Sequence, residues 1–134
     1  MKTEYFTETD IDIKSNELFE ELGKNVQVEH WKFQPAKSCL IIIDMQKYFL
    51  SEESHAFIPA AIPIIRKIKS LADIYHKMNY PVVVTKHINT KENAGLMSKW
   101  WNELLTAENE LSEVINTFQN EKSITIEKSQ YDAF

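Results

Sequence analysis

Three short runs of apolar, β-favouring residues punctuate the chain, with amphipathic stretches between them. Ser38 to Ile43 (SCLIII) is the first. It shows no polar alternation, which predicts a strand buried on both faces, as in a parallel sheet. Pro81 to Thr85 (PVVVT) is a second run of the same kind, and Ser123 to Glu127 (SITIE) alternates and predicts a third strand. From Ala61 to Met78, the residues Ile64, Ile65, Ile68, Leu71, Ala72 and Tyr75 recur at helical spacing. Pro63 is tolerable there only near the helix start, and Asn79-Tyr80-Pro81 stops it. Leu96 to Thr106 predicts a further helix carrying Trp100, Trp101, Leu104 and Leu105. Leu111, Val114, Ile115 and Phe118 mark a shorter one, and Ser51 to Ile58 reads as a loop ending at Pro59.

Residues 1–37 read as an arm. Ser15 to Leu22 predicts a short helix with Ser15 as N-cap and Gly23 just past its end. Val26 to Phe33 reads as an edge strand or extended segment, ended by Pro35. Residues 38–134 then hold strand, helix, strand, helices and strand. That order implies right-handed crossovers and a three-layer α/β/α parallel sheet of Rossmann-like type. In such sheets chemistry sits at the carboxyl ends of the strands. Asp44, the Thr85-Lys86-His87 stretch and Lys128 fall there.

Composition narrows the classes. The 134 residues suit one domain, and 43% apolar with 26% charged residues is ordinary for a globular protein. The net charge of −5 argues against nucleic acid and against an anionic membrane surface as partners. The longest apolar run, Cys39 to Ile43, is far too short for a bilayer, and Met1 to Glu20 does not read as a signal peptide. With a single cysteine no internal disulfide forms, so a cytoplasmic setting is expected. Two glycines, Gly23 and Gly95, exclude a glycine-rich phosphate cradle. No cofactor is called for.

Asp44 directly follows three isoleucines. A carboxylate at the mouth of an apolar sheet is unfavourable unless paired or hydrogen-bonded. It is therefore either a general base or a strand-ending cap, and the residues alone leave both open. Lys128 ends the third strand in the same way. It either pairs with and orients Asp44 or is a surface lysine beside Glu127, the simpler reading from pattern alone. Cys39 lies five residues before Asp44, about 16 Å along a strand and on the opposite face. It cannot share a site with Asp44 and reads as a buried core thiol. His30, His55, His76 and His87 form no metal-ligand pair, so no metal site is expected. His76 reads as surface or rim, and His87 is placed to line a pocket. Trp100 and Trp101 face about 100° apart on a helix, so one suits the core and the other a pocket mouth or a subunit contact, with core packing the simpler reading for the pair.

The run Leu40-Ile41-Ile42-Ile43-Asp44-Met45-Gln46-Lys47-Tyr48-Phe49 resembles the first-strand signature of the isochorismatase-like superfamily of cysteine hydrolases. Ile126-Glu127-Lys128-Ser129-Gln130-Tyr131-Asp132-Ala133-Phe134 is similar to its second signature, and the arm around His30-Trp31-Lys32-Phe33-Gln34-Pro35 also resembles the family. The resemblance covers about residues 30–134. It implies an incomplete, mostly parallel doubly wound sheet with Asp44 as general base and Lys128 as its holder. Gln46, Phe49, His87 and Trp100 are the expected substrate-pocket residues. The family's nucleophilic cysteine lies further downstream, so the resemblance implies hydrolysis of a small-molecule amide-type bond by a thiol this chain lacks. The chain alone is then expected to be inactive.

Isochorismate vinyl-ether hydrolysis is the alternative, favoured by the arm around Trp31 and the Met45-to-Phe49 run. A place reading Thr85-Lys86-His87-Ile88-Asn89 departs from the metal pair of nicotinamidases and disfavours a metal-dependent one. A third reading is a truncated, non-catalytic remnant. With the first strand at a sheet edge, such a chain invites pairing with another copy, and a homo-oligomer is expected.

Overall fold

The computed structural model describes residues 4–25, 32–101 and 103–132. The expected extended segment from Val26 lies mostly outside the described residues, as do His30, Trp31, Ala133 and Phe134; Lys32 and Phe33 form no strand.

Three strands form one parallel sheet in the order β1-β2-β3: β1 (Leu40–Ile42), β2 (Val82–His87) and β3 (Ile124–Lys128). Leu40 pairs with Val82 and Ile42 with Val84; Val84 pairs with Thr125 and His87 with Lys128. The central strand is thus the second apolar run, PVVVT, continued to His87. Each strand runs a residue or two differently from the pattern reading, and β2 extends to His87.

Between β1 and β2 lies the one long helix of the sheet, α3 (Ile65–Lys77). It begins later than Ala61 because Pro59–Ala61 forms a separate 3-10 turn. Its end follows from Asn79, which sits at φ +53°. Asn79 N–H donates to the His76 carbonyl and Tyr80 N–H to the Tyr75 carbonyl, the paired bonds of a Schellman stop. Asparagine tolerates this left-handed backbone better than most residues. The inner face of α3 brings Ala72 and Tyr75 onto Ile42, Val82 and Val84, with Met45, Val114 and Phe118 completing the core.

The arm holds α1 (Ile11–Asn25), longer at both ends than expected. Ser15 is not its cap. Thr7 N–H donates to Asp10 Oδ1 at 2.7 Å, and Asp10 N–H reaches back to Thr7 Oγ1 at 3.3 Å. This reciprocal box starts the helix one turn early. Gly23 lies inside the helix rather than after it. Asp12 pairs with Lys67 and Arg66 of α3, tying the arm to the domain. The Asp12 carboxyl is held below the ordinary aspartate value of 3.8, first by its hydrogen bond from Lys67 and then by that lysine's charge.

The two helices expected after β2 are mostly absent. Among the described residues of 96–106 only the single turn α4 (Met97–Trp100) is helical, and the 110–118 stretch holds two 3-10 turns, Glu110–Ser112 and Asn116–Phe118. A further turn, α2 (Lys47–Leu50), follows β1. These segments are held by tertiary bonds instead. Lys47 N–H donates to the Glu113 carbonyl and Ile115 N–H to the Met45 carbonyl, so the 110–118 stretch runs alongside Met45–Lys47. Apolar spacing alone did not distinguish a continuous helix from turns pinned by a neighbouring chain segment.

Burial on both sheet faces is not realised among the described residues. Ile42 is 2% exposed, whereas Ile41 is 50% and Ile43 64% exposed. Cys39, expected as a core thiol, is exposed as well. Alternation along the strand sends Cys39, Ile41 and Ile43 to the face opposite α3. None of the described helices covers them.

Candidate active site

Asp44 leaves the end of β1 at φ +50°, an unusual backbone for a residue with a Cβ. Its carbonyl accepts the Gln46 N–H at 2.7 Å, tightening the turn. The carboxylate thereby leaves the apolar strand and meets the end of β3. There Lys128 Nζ lies 2.7 Å from Asp44 Oδ2, with the lysine side chain 7% exposed and the aspartate 20%. Lys128 also donates to the carbonyls of Gln130 and Tyr131 at 3.1 and 3.4 Å. An ammonium has three protons, so these three acceptors occupy it fully. Asp44 Oδ1 accepts the Thr85 hydroxyl at 2.6 Å, and that same hydroxyl oxygen accepts the Asp44 N–H at 3.1 Å.

These groups edge a cavity of about 320 Å³. Its walls are largely apolar: Ile43, Met45, Phe49, Leu50, Ile58, Ala61, Met97 and Trp101. Asp44, His87, Lys128 and Tyr131 supply the polar edge. Trp101 organises one side. It stacks on Tyr48 with ring centres 6.1 Å apart and on His87 at 5.7 Å, and meets Phe49 edge to face at 6.3 Å. Burial pushes the Tyr48 hydroxyl above its ordinary value, with the Glu103 charge adding to it.

His87 is oriented by a chain of amide bonds. Asn89 Nδ2 donates to the Ser129 carbonyl at 2.9 Å, which turns Asn89 Oδ1 toward His87 Nε2 at 2.7 Å. An amide oxygen only accepts, so Nε2 carries the proton. Among the described residues no three His, Cys, Asp or Glu side chains gather to hold a metal ion.

Asp44, Phe49, His87 and Lys128 thus converge on one cavity. Gln46 does not line it. Its side chain is fully buried, accepting from His87 N–H at 2.8 Å and donating to the His87 and Ser112 carbonyls at 2.9 and 2.6 Å. It clamps the ends of β1 and β2 to the 110–118 stretch. Trp100 also does not line the cavity. It is 68% exposed over a shallower neighbouring groove, and Trp101 takes the expected place. α4 buries Met97 and ends at Trp100, so the chain has already turned extended at Trp101. Helical phase over a long helix was the wrong guide to the pair. His76 is half-buried and bonds the Ser123 hydroxyl at 3.0 Å, away from the cavity.

The pattern does not mark Met97, which opens the single turn of α4, or Ile58 and Tyr131, which come from loops without periodicity. It passed over a role for Thr85 too, although a lone hydroxyl closing the run PVVVT was a usable signal.

The sequence model of the Isochorismatase domain matches residues 38–134. The chain belongs to the isochorismatase family. Among curated proteins it is similar to enterobactin synthase component B of Escherichia coli, 30% identical over 107 residues, covering 78% of this chain and 37% of that protein. Among solved structures it resembles a cysteine hydrolase from Pseudomonas syringae pv. phaseolicola, with a TM-score of 0.74 and 20% identity over 82% of this chain and 55% of that one. It also resembles N-carbamoylsarcosine amidase from Thermoplasma acidophilum, with a TM-score of 0.62 and 18% identity over 72% and 54%. These structural likenesses establish the isochorismatase-like α/β fold. The chain spans about half the length of those structures and little more than a third of the curated relative.

Proposed function

We propose that these residues form the acid–base half of a small-molecule hydrolase acting on an amide-type carbon–nitrogen bond. The observation that carries this reading is the 2.7 Å contact between Asp44 and Lys128 in the wall of an otherwise apolar cavity. Cys39 does not line that cavity, so the attacking thiol comes from outside these 134 residues. Asp44 takes the thiol proton, and the thiolate bonds to the carbonyl carbon. The carbon–nitrogen bond breaks as Asp44 returns the proton to the leaving nitrogen. Water then cleaves the thioester, giving up its proton by way of Asp44 and restoring the thiol. Lys128 keeps the carboxylate in place and does not itself exchange a proton.

The cavity favours a small substrate. Its volume lies at the low end of ligand sites, and aliphatic, methionine and aromatic side chains supply most of the wall. Lys128 is the only cation among the described lining residues, and its donors are already taken by Asp44 and two carbonyls.

A second reading is hydrolysis of the isochorismate vinyl ether, with Asp44 as the proton donor. The match to the Isochorismatase domain and the enterobactin synthase component B relative favour it. One experiment separates the two. The full-length protein is assayed for ammonia release from pyrazinamide and N-carbamoylsarcosine and for pyruvate release from isochorismate. The expected result is ammonia release that falls by about 10²–10⁴-fold in Asp44→Asn. Pyruvate release alone selects the second reading. Turnover that persists unchanged in Asp44→Asn overturns both.

A further inference from the structure

Resting on that reading, we infer that Thr85 is the positioning residue of the site: its one hydroxyl sets both the backbone and the carboxylate of Asp44. The hydroxyl oxygen accepts the Asp44 N–H at 3.1 Å, and its proton goes to Asp44 Oδ1 at 2.6 Å. A threonine hydroxyl has one donor and two acceptor positions, so it serves both contacts at once. No second copy of this arrangement is needed, because Lys128 holds the other oxygen, Oδ2, at 2.7 Å. Each carboxylate oxygen is therefore tied to a different strand, Oδ1 to β2 and Oδ2 to β3. Rotation of the carboxylate would break one contact or the other.

The backbone contact addresses a separate problem. Asp44 lies at φ +50°, which residues with a Cβ rarely adopt unless the surroundings hold them there. Its N–H points at Thr85, so the hydroxyl that orients the side chain also holds the strained turn. Thr85 itself is well placed to be rigid. It is 3% exposed, β-branched, and sits on the central strand, paired with Ile126 of β3. It does not line the cavity. It therefore acts through Asp44 and touches no substrate. Its loss affects the chemical step far more than substrate binding.

The test compares the full-length wild type with Thr85→Val, Thr85→Ser and Asp44→Asn. Valine keeps the shape and removes the hydroxyl; serine keeps the hydroxyl. With whichever of pyrazinamide, N-carbamoylsarcosine or isochorismate is turned over, Thr85→Val is expected to lower kcat about 10- to 100-fold, with KM within about twofold. Thr85→Ser is expected to recover kcat to within about threefold of wild type. Crystal structures of the same variants give a readout that needs no substrate. The Asp44 carboxylate is expected to leave Lys128 in Thr85→Val and to stay in Thr85→Ser. If Thr85→Val does not fold, Thr85→Ala supplies the hydroxyl-free variant. Unchanged kcat with Asp44 unmoved in the hydroxyl-free protein overturns the inference and leaves the hydrolase reading standing. Full activity of Asp44→Asn, or no turnover of any of the three compounds, overturns the hydrolase reading. The position of the Asp44 carboxylate then still decides what Thr85 does.

Discussion

The two faces of the sheet carry nearly the same residues and meet opposite fates. On one, Leu40, Ile42, Val82 and Val84 pack against Ala72 and Tyr75 of α3, with Phe118 closing the layer. On the other, Ile41, Ile43 and Ile124 face outward, and Cys39 joins them. Isoleucine stands on both sides of β1. Burial is therefore a property of what lies opposite a strand face, not of the strand. The contrast stops at the carboxyl end of the sheet. There Asp44, Thr85 and Lys128 are satisfied by one another and by loop carbonyls, and His87 Nε2 by the Asn89 amide oxygen. These polar groups find their partners among the described residues, while one apolar face is not covered by them.

Substitutions can sharpen this contrast. The largest effect is expected on the covered face. Phe118→Ala should cost about 3–5 kcal/mol and Ile42→Ala about 2–5 kcal/mol in urea unfolding of the 134-residue chain. Ile41→Ala, one residue away, should stay within about 0.5 kcal/mol. Equal losses at Ile41 and Ile42 would show that the open face is covered in solution. A smaller effect concerns Cys39. Its thiol should react with an aromatic disulfide reagent in the native chain about as fast as in the denatured one. Strong protection would again close the open face.

The smallest effect is on the arm, outside both faces. The Asp10 and Asp12 carboxyls are both held below 3.8, Asp10 chiefly by its hydrogen bond from Lys14 and Asp12 by that from Lys67. A lowered folded value means that the stabilisation is present above the unfolded value and is lost as pH falls through the folded one. Helicity of α1 should accordingly weaken only below about pH 3.8, and the Asp12 contribution should shrink in high salt. Circular dichroism against pH checks this. Loss of α1 near neutral pH would contradict the assignment.

Much of the site was legible because strand ends are marked by abrupt polarity. Asp44 after Ile43 and Lys128 after SITIE stand out by contrast with the runs they close. Trp101 was not legible. The choice between two adjacent tryptophans turned on where a helix stops, and α4 is a single turn held by loop contacts. The family resemblance places Gln46 in the pocket. Its reach to His87 and Ser112 crosses 41 and 66 residues of chain, a distance that spacing does not encode.

The sequence by itself determined the parallel strand-helix-strand order, the family, and which charged residues stand at the strand ends. Those follow from local hydrophobic period and from motifs read within a few residues. The tertiary structure decided that Asp44 and Lys128 meet, that the Thr85 hydroxyl holds Asp44 at both its N–H and its carboxylate, and which sheet face is covered. Those depend on contacts between residues tens of positions apart, and such contacts exist only once strands have paired and helices have chosen a side.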